Sequence, residues 1–514
     1  MKRKDFLKFL GWGSVGVAVA PHLSFCQVPY ALDPIAPSSK DKLLLHPDLS
    51  FSILAHWGQE MPGGLSFGFN NDFTQFLPID NTRAKLWVNH EYIDPFFVSK
   101  SAPEHKTKEH ILEEMQQVGG SIWNLKKVNG SWEIDDAVEG YQLHANVPIP
   151  FANNAEVAGS KQAIGTLANC SGGLTPWGTV LTCEENYDAF WGECTDPKEP
   201  TTKGFYGWEK LEPRPSEHYG WVVEFDPETN KAKKHTTLGR CAHECAHVVE
   251  QPDKTVVVYT GDDCKFQCLY KFVGTEASSL EHGTLFVANV EKGVWIPLDI
   301  DKQPELKSYF NNQTEVLTYL RKASDLVGGS KLDRPEDIER DPNTGDILIA
   351  LTNNTDNNNP FGSILKITEL DGYGGTNFKS ETYLAGGPEM GFACPDNMAF
   401  DPKGNLWFTS DISGYKTNLP PFTAFGNNGL FLVPNSGDKK GQVIQVASSP
   451  VNAELTGPCF SEDGKHLFLS VQHPGEGSDN HAQYKSNWPF GGNHQPKPAV
   501  VVISGQLLDE ISAI

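Results

Sequence analysis

Apolar and polar positions alternate over short distances along this chain. Runs of five or six residues, rich in β-branched and aromatic side chains, lie between clusters of turn formers. They are Lys85–Asn89, Gly178–Cys183, Gly220–Phe225, Thr255–Thr260, Asp346–Leu351, Asn405–Thr409 and His466–Val471. Runs of this length and content predict short buried strands. Several adjoin an acidic or polar turn: Asp226-Pro-Glu-Thr-Asn230, Asp341-Pro-Asn-Thr-Gly345, Asp401-Pro-Lys-Gly-Asn405 and Glu462-Asp-Gly-Lys465. The recurring turn-and-strand unit predicts the blades of a β-propeller carrying long insertions. A β-sandwich of unrelated hairpins is the competing arrangement. Helical periodicity is confined to Lys106–Gln117 and Glu315–Ala323. The chain thus reads as all-β, with long inserted loops and a few short helices.

The first residues do not fit this pattern. Met1-Lys-Arg-Lys4 is basic, and Phe9 to Ala20 is mostly apolar but too short to span a bilayer as a helix. Arg3-Lys4-Asp5-Phe6-Leu7 resembles a twin-arginine leader with lysine as the second basic residue. Residues 1–26 are therefore expected to be an export signal. Cys26 is a candidate lipid-anchor site, though the bulky Phe25 before it argues against lipidation. No later segment approaches the roughly 18 apolar residues of a membrane span. Export places the mature protein in the periplasm or outside the cell.

With 514 residues, the chain has room for about three domains at ~150 residues each. No Pro/Ser-rich linker divides it, so one domain over residues 27–514 is expected. The 48 Gly, 35 Pro, 29 Phe, 14 Tyr and 12 Trp suit aromatic strands joined by tight turns. A formal charge of −23 disfavours nucleic acid as the main partner. It also supplies carboxylates for hard cations.

Ten cysteines in an exported chain permit disulfides. Cys241/Cys245 and Cys264/Cys268 share a spacing, so one or two bridges among them are expected. His243-Glu-Cys-Ala-His247 matches the H-E-x-x-H zinc-protease signature. That motif requires a helix, and here it leads into the strand-like Thr255–Thr260 with Pro252 close behind. A zinc protease is accordingly disfavoured, while Glu244 remains a candidate metal ligand on its own.

Polar loops beside the strands carry the other candidates. They include Asn70-Asn-Asp72, Asn89-His-Glu91, Cys183-Glu-Glu185, Gly261-Asp-Asp263, Arg334-Pro-Glu336, Pro395-Asp-Asn397 and Ser410-Asp411. Carboxylates converging on a propeller channel repel one another unless cations neutralise them, and calcium takes about six to eight oxygens. Cys170 would add a softer ligand suited to iron or zinc. Arg334, among such groups, is a candidate phosphate clamp.

Asn169-Cys-Ser-Gly-Gly-Leu-Thr-Pro-Trp-Gly-Thr-Val-Leu-Thr-Cys-Glu-Glu-Asn186 closely resembles a segment of the PhoX-type alkaline phosphatases, and shorter matches run in order from Phe69 to Glu476. The resemblance implies a six-bladed propeller that hydrolyses phosphate monoesters and releases inorganic phosphate, in the service of phosphate acquisition. It implies Fe(3+) and Ca(2+) around a bridging oxygen, with Cys170 as an iron ligand. Glu185, Glu244, Asp263 and Glu336 fall on the family's metal cage, and Arg334 on its phosphate-contacting arginine. Asp72, Glu91 and Asp396 are further metal candidates not assigned to a particular ion. Export by the twin-arginine machinery and a monomeric state are also expected. A calcium-dependent propeller lactonase and a non-catalytic binding propeller are the alternatives.

Overall fold

Six antiparallel sheets are arranged around one axis in the computed structural model, which describes residues 32–513. The expected export signal and Cys26 lie outside the described residues. Blade one comprises Asn71–Asp80, Arg83–His90, Gly119–Val128 and Ser131–Ile134. Blade two comprises Asn169–Leu174, Val180–Glu184, Val222–Asp226 and Lys231–His235. His247–Glu250, Val256–Gly261, Leu269–Gly274, Gly283–Asn289 and Val294–Pro297 form blade three. Blade four holds Pro335–Arg340, Ile347–Leu351, Ser363–Glu369 and Phe378–Ala385. Blade five holds Pro395–Phe400, Leu406–Ser410, Gly429–Val433 and Ile444–Ser448, with Leu44–Leu45 at its edge.

Glu454–Phe460, Leu467–Gln472 and Ala499–Ser504 begin blade six, and Ser50–His56 completes it. The pairing of Ser50–His56 with Ala499–Ser504 brings an N-terminal strand of the described residues into the last blade. The first strand of each blade packs beside the first strand of the next, and the sixth returns to the first. The molecule is therefore a closed six-bladed β-propeller, not a sandwich.

Six of the seven strand-like runs become second strands, whose two faces are both covered, and Gly220–Phe225 becomes the third strand of blade two. Ile347–Leu351 is buried at every position. Ile347 and Ile349 pack against Val257 and Tyr259 of blade three. Leu348 and Ala350, on the opposite face, meet Met398, Leu406 and Phe408 of blade five. A two-residue period thus feeds two interblade seams at once.

The helix expected over Lys106–Gln117 spans Lys108–Met115, capped by Thr107 and His110. The helix expected over Glu315–Ala323 is instead two, Gln313–Thr318 and Leu320–Val327, separated at Tyr319. No helix among the described residues is long and apolar enough to cross a membrane.

The expected bridges among Cys241, Cys245, Cys264 and Cys268 are not formed; all four are free thiols. Cys241 and Cys268 belong to the seam between blades two and three. Cys245 faces the seam between blades three and four, on the other side of the sheet. The Cys264 sulfur instead lies 3.2 Å from the Arg321 guanidinium.

Candidate metal centre

One backbone device recurs at the axis. The N–H groups of Glu91, Glu185, Asp263, Thr352 and Asp411, just past the second strands, donate to the carbonyls of Asn70, Ala168, Ala242, Arg334 and Cys394. Two residues after those carbonyls stand Asp72, Cys170, Glu244, Glu336 and Asp396. In blade six Glu454 follows Asn452 in the same way, and the Asn452 carbonyl takes a hydrogen bond from His473 Nδ1 at 3.1 Å. Asn70, Ala168, Arg334, Cys394 and Asn452 all adopt left-handed φ values between 41° and 58°. The register then slips across Asp72, Cys170, Glu336 and Asp396. A bulge bends its strand and re-aims a side chain. Each blade delivers one inner ligand-type group, in four of them from the bulge, and four blades add a second: Glu91, Glu185, Asp263 and Asp411.

All nine candidates from the sequence line one cavity of 200 Å3: Asp72, Glu91, Cys170, Glu185, Glu244, Asp263, Arg334, Glu336 and Asp396. Asp411, Glu454 and Glu476 line it too. Cys170 Sγ is 3.3 Å from Asp72 Oδ2 and 3.1 Å from Glu244 Oε1. Gln472 Nε2 donates to Asp72 and Glu91 at 3.0 and 2.7 Å. Asn397 Nδ2 donates to Asp396 at 2.8 Å. Arg334 is the single arginine in the lining. Its Nε and Nη2 reach Asp263 at 2.9 and 2.8 Å, and Nη2 lies 2.6 Å from Glu336. Its Nη1 lies 3.5 Å from Asp411.

Burial pushes the carboxyls of Asp72, Glu185 and Glu244 well above the ordinary carboxylate range, and their mutual repulsion pushes further the same way. Asp396 is raised to about 7 by burial and by Asp411. The Cys170 thiol is likewise raised by burial, with Asp72 and Glu244 adding to the shift. So many acids crowded into one cavity resist ionisation until cations offset them.

The donor set fits such ions. Asp72, Glu91 and Cys170 bring ligand atoms within 4.8 Å of one another, as do Cys170, Glu185 and Glu244, so Cys170 belongs to both groups. Asp72 Oδ1 and Glu336 Oε2 are buried without a hydrogen-bond partner, which leaves lone pairs for a cation. Carboxylate oxygens suit hard ions, and the sulfur adds an affinity for a transition metal.

The H-E-x-x-H segment does not make a zinc site. His243 Nε2 donates to the Gly239 carbonyl at 2.8 Å, and Nδ1 lies 2.8 Å from Thr260 Oγ1. Burial lowers its pKa to about 4, which keeps the ring neutral. His247 begins a strand and lines a separate 400 Å3 cavity, where Nδ1 is 3.5 Å from Glu339. Only Glu244 of the motif faces the cage.

Glu454 is the acid that sequence reasoning missed. Glu336 and Asp396 each stand five residues before an Asp-Pro turn, at Asp341 and Asp401. The irregular stretch between Thr456 and Cys459 displaces Glu454 from the equivalent spacing. Asp411 and Glu476 stood within recognised segments, and their positions at the ends of second-strand runs were the available signal.

The family model for alkaline phosphatase PhoX matches residues 30–475. Among solved structures, Pseudomonas fluorescens PhoX in complex with vanadate, a transition-state analogue, is similar with a TM-score of 0.83 and 27% identity, covering 93% of this chain and 98% of that one. The gluconolactonase XC5397 from Xanthomonas campestris aligns over 92% of this chain and 98% of its own at 10% identity, but its TM-score of 0.36 gives the likeness no weight. No curated protein sequence matches. The family match spans most of the propeller and displaces the lactonase and binding-module alternatives. This chain belongs to the PhoX family of alkaline phosphatases and is a phosphomonoesterase.

Proposed function

We propose that the enzyme works with Fe(3+) and Ca(2+) held at the propeller axis. Cys170, Glu185, Glu244, Asp263 and Glu336 are the principal ligands in this reading, with Asp72, Glu91 and Asp396 beside them. The observation that carries it is the convergence of one buried thiol with carboxylates that cannot all ionise unaided. Bound cations would supply Lewis acidity to the phosphoryl oxygens.

Arg334 acts as the phosphate clamp. Asp263 and Glu336 hold its Nε and Nη2, so the guanidinium keeps one orientation. Nη1 has no comparably short contact and can donate to a phosphoryl oxygen. The vanadate complex of the Pseudomonas fluorescens protein supports a phosphoryl site in this fold. Most of the work in phosphoryl transfer is positioning and charge compensation, and a guanidinium held by two carboxylates provides both.

Residues 1–26 would export the protein through the twin-arginine route to the periplasm or beyond. That route carries folded proteins, so iron and thiolate could be assembled in the reducing cytoplasm. The test is metal analysis of the purified protein alongside hydrolysis of a small phosphate monoester before and after EDTA. Iron and calcium with EDTA-sensitive turnover are expected; full turnover in excess chelator contradicts the metal reading.

A further inference from the structure

A second cavity, of 250 Å3, adjoins the cage. The two share Tyr92, Tyr415, His473 and Glu476 as common walls. The walls come from insertions between the second and third strands of blades one, two, five and six. Blade one supplies Tyr92 and Phe97, blade two Phe205 and Tyr206, and blade five Tyr415. Phe205 is 71% exposed and Tyr415 66% exposed, although both are large aromatic side chains. Two such rings in solvent at the lip of a pocket suit a ligand that covers them.

Apart from His473, which is held by Glu454 at 2.9 Å, the ionisable side chains of this cavity are of one sign. Asp94 and Glu476 line it, and neither Lys nor Arg does. Asp94 is fixed by the backbone N–H of Phe96 at 2.9 Å, and Glu476 by that of Gly414 at 3.2 Å. Lys416, over the Tyr415 ring at 5.2 Å, is not part of the wall.

We propose that this cavity seats the organic group of the phosphomonoester while the phosphoryl group lies in the cage. It selects a planar aromatic group of one or two rings that is neutral or cationic, and disfavours an anionic one. This rests on the cage being the phosphoryl site. The shared walls set the two cavities side by side, and the size falls just short of the ~300–1,000 Å3 typical of drug-sized ligands.

The test compares esters with matched leaving groups, so that intrinsic reactivity does not decide. Adenosine 5′-monophosphate and glycerol 1-phosphate both release a primary alcohol. The expected kcat/KM ratio favours the nucleotide at least fivefold. Phe205→Ala and Tyr415→Ala should each lower that ratio threefold to tenfold, mainly through KM. In a second pair, benzyl phosphate bearing a 4-aminomethyl group should be preferred over its 4-carboxy counterpart. Equal ratios, or ratios unmoved by both variants, overturn the aromatic pocket. A preference for the carboxylate overturns its charge selection. Turnover of none of the four esters by the metal-loaded enzyme overturns the phosphoryl reading and this inference with it.

Discussion

Arg334 of blade four grips Asp263 of blade three through two parallel hydrogen bonds, Nε to Oδ1 at 2.9 Å and Nη2 to Oδ2 at 2.8 Å. The contact fills a gap in the repeat. Thr352 occupies the place where other blades present Glu91, Glu185, Asp263 or Asp411, so blade four contributes no second carboxylate to the cage. The guanidinium takes that space and meets acids of blades three, four and five. Its orientation is a property of the ring, not of one loop.

Arg334→Lys keeps the charge and loses the fork. An ammonium cannot hold Asp263 through two parallel bonds while presenting a further donor. We expect kcat/KM for phosphate monoesters to fall by roughly 10²–10³, the scale of losing a fixed transition-state donor. Steady-state kinetics at matched metal content checks this. A variant within a few-fold of the parent removes Arg334 from the clamp.

His247→Ala separates the cage from the H-E-x-x-H motif. His247 lines the cavity with Asp337 and Glu339, away from the cage. Phosphatase activity should stay within about twofold. A loss of hundredfold, with zinc found in the parent, would restore the zinc reading.

Glu224 of blade two offers a stability test remote from the cage. Burial opposes its charge, yet hydrogen bonds from His235 at 2.7 Å, Trp177 at 2.8 Å and Thr179 at 2.7 Å hold its pKa far below the ordinary value. A carboxylate with a depressed folded-state pKa stabilises the fold above its unfolded value of 4.5, and that contribution is lost as pH falls toward the folded value. Glu224→Gln should cost about 1–3 kcal/mol at pH 7. The deficit should shrink on acidification below pH 4.5. Urea unfolding of both proteins at neutral and acid pH measures it; a deficit that grows on acidification contradicts the assignment.

The strand runs legible in the sequence include the second strand of every blade. Those strands are covered on both faces, so they read as nearly continuous apolar runs, as in Ile347–Leu351. The inner strands were hidden because function is written over their pattern. Pro335–Arg340 begins with Pro, Glu and Asp, and Asn169–Leu174 holds Cys170 beside two glycines. Bulges at these strands also break the two-residue period. The nine candidate residues came from family motifs and polar loops, and the structure brings them into one cavity. Glu454 escaped because an irregular stretch displaces it from its turn. Cysteine spacing misled because equal spacing does not bring the sulfurs together: Cys245 faces the other side of the sheet from Cys241 and Cys268, and Cys264 contacts Arg321.

Cys170 is the residue on which the account turns, since both candidate ligand groups contain it. The direct measurement is the iron and calcium content of purified Cys170→Ala beside the parent, with phosphomonoesterase activity on the same samples and thermal unfolding to show that each is folded. The account predicts a folded variant that has lost iron and nearly all activity. A folded variant with parental iron and parental turnover would contradict it.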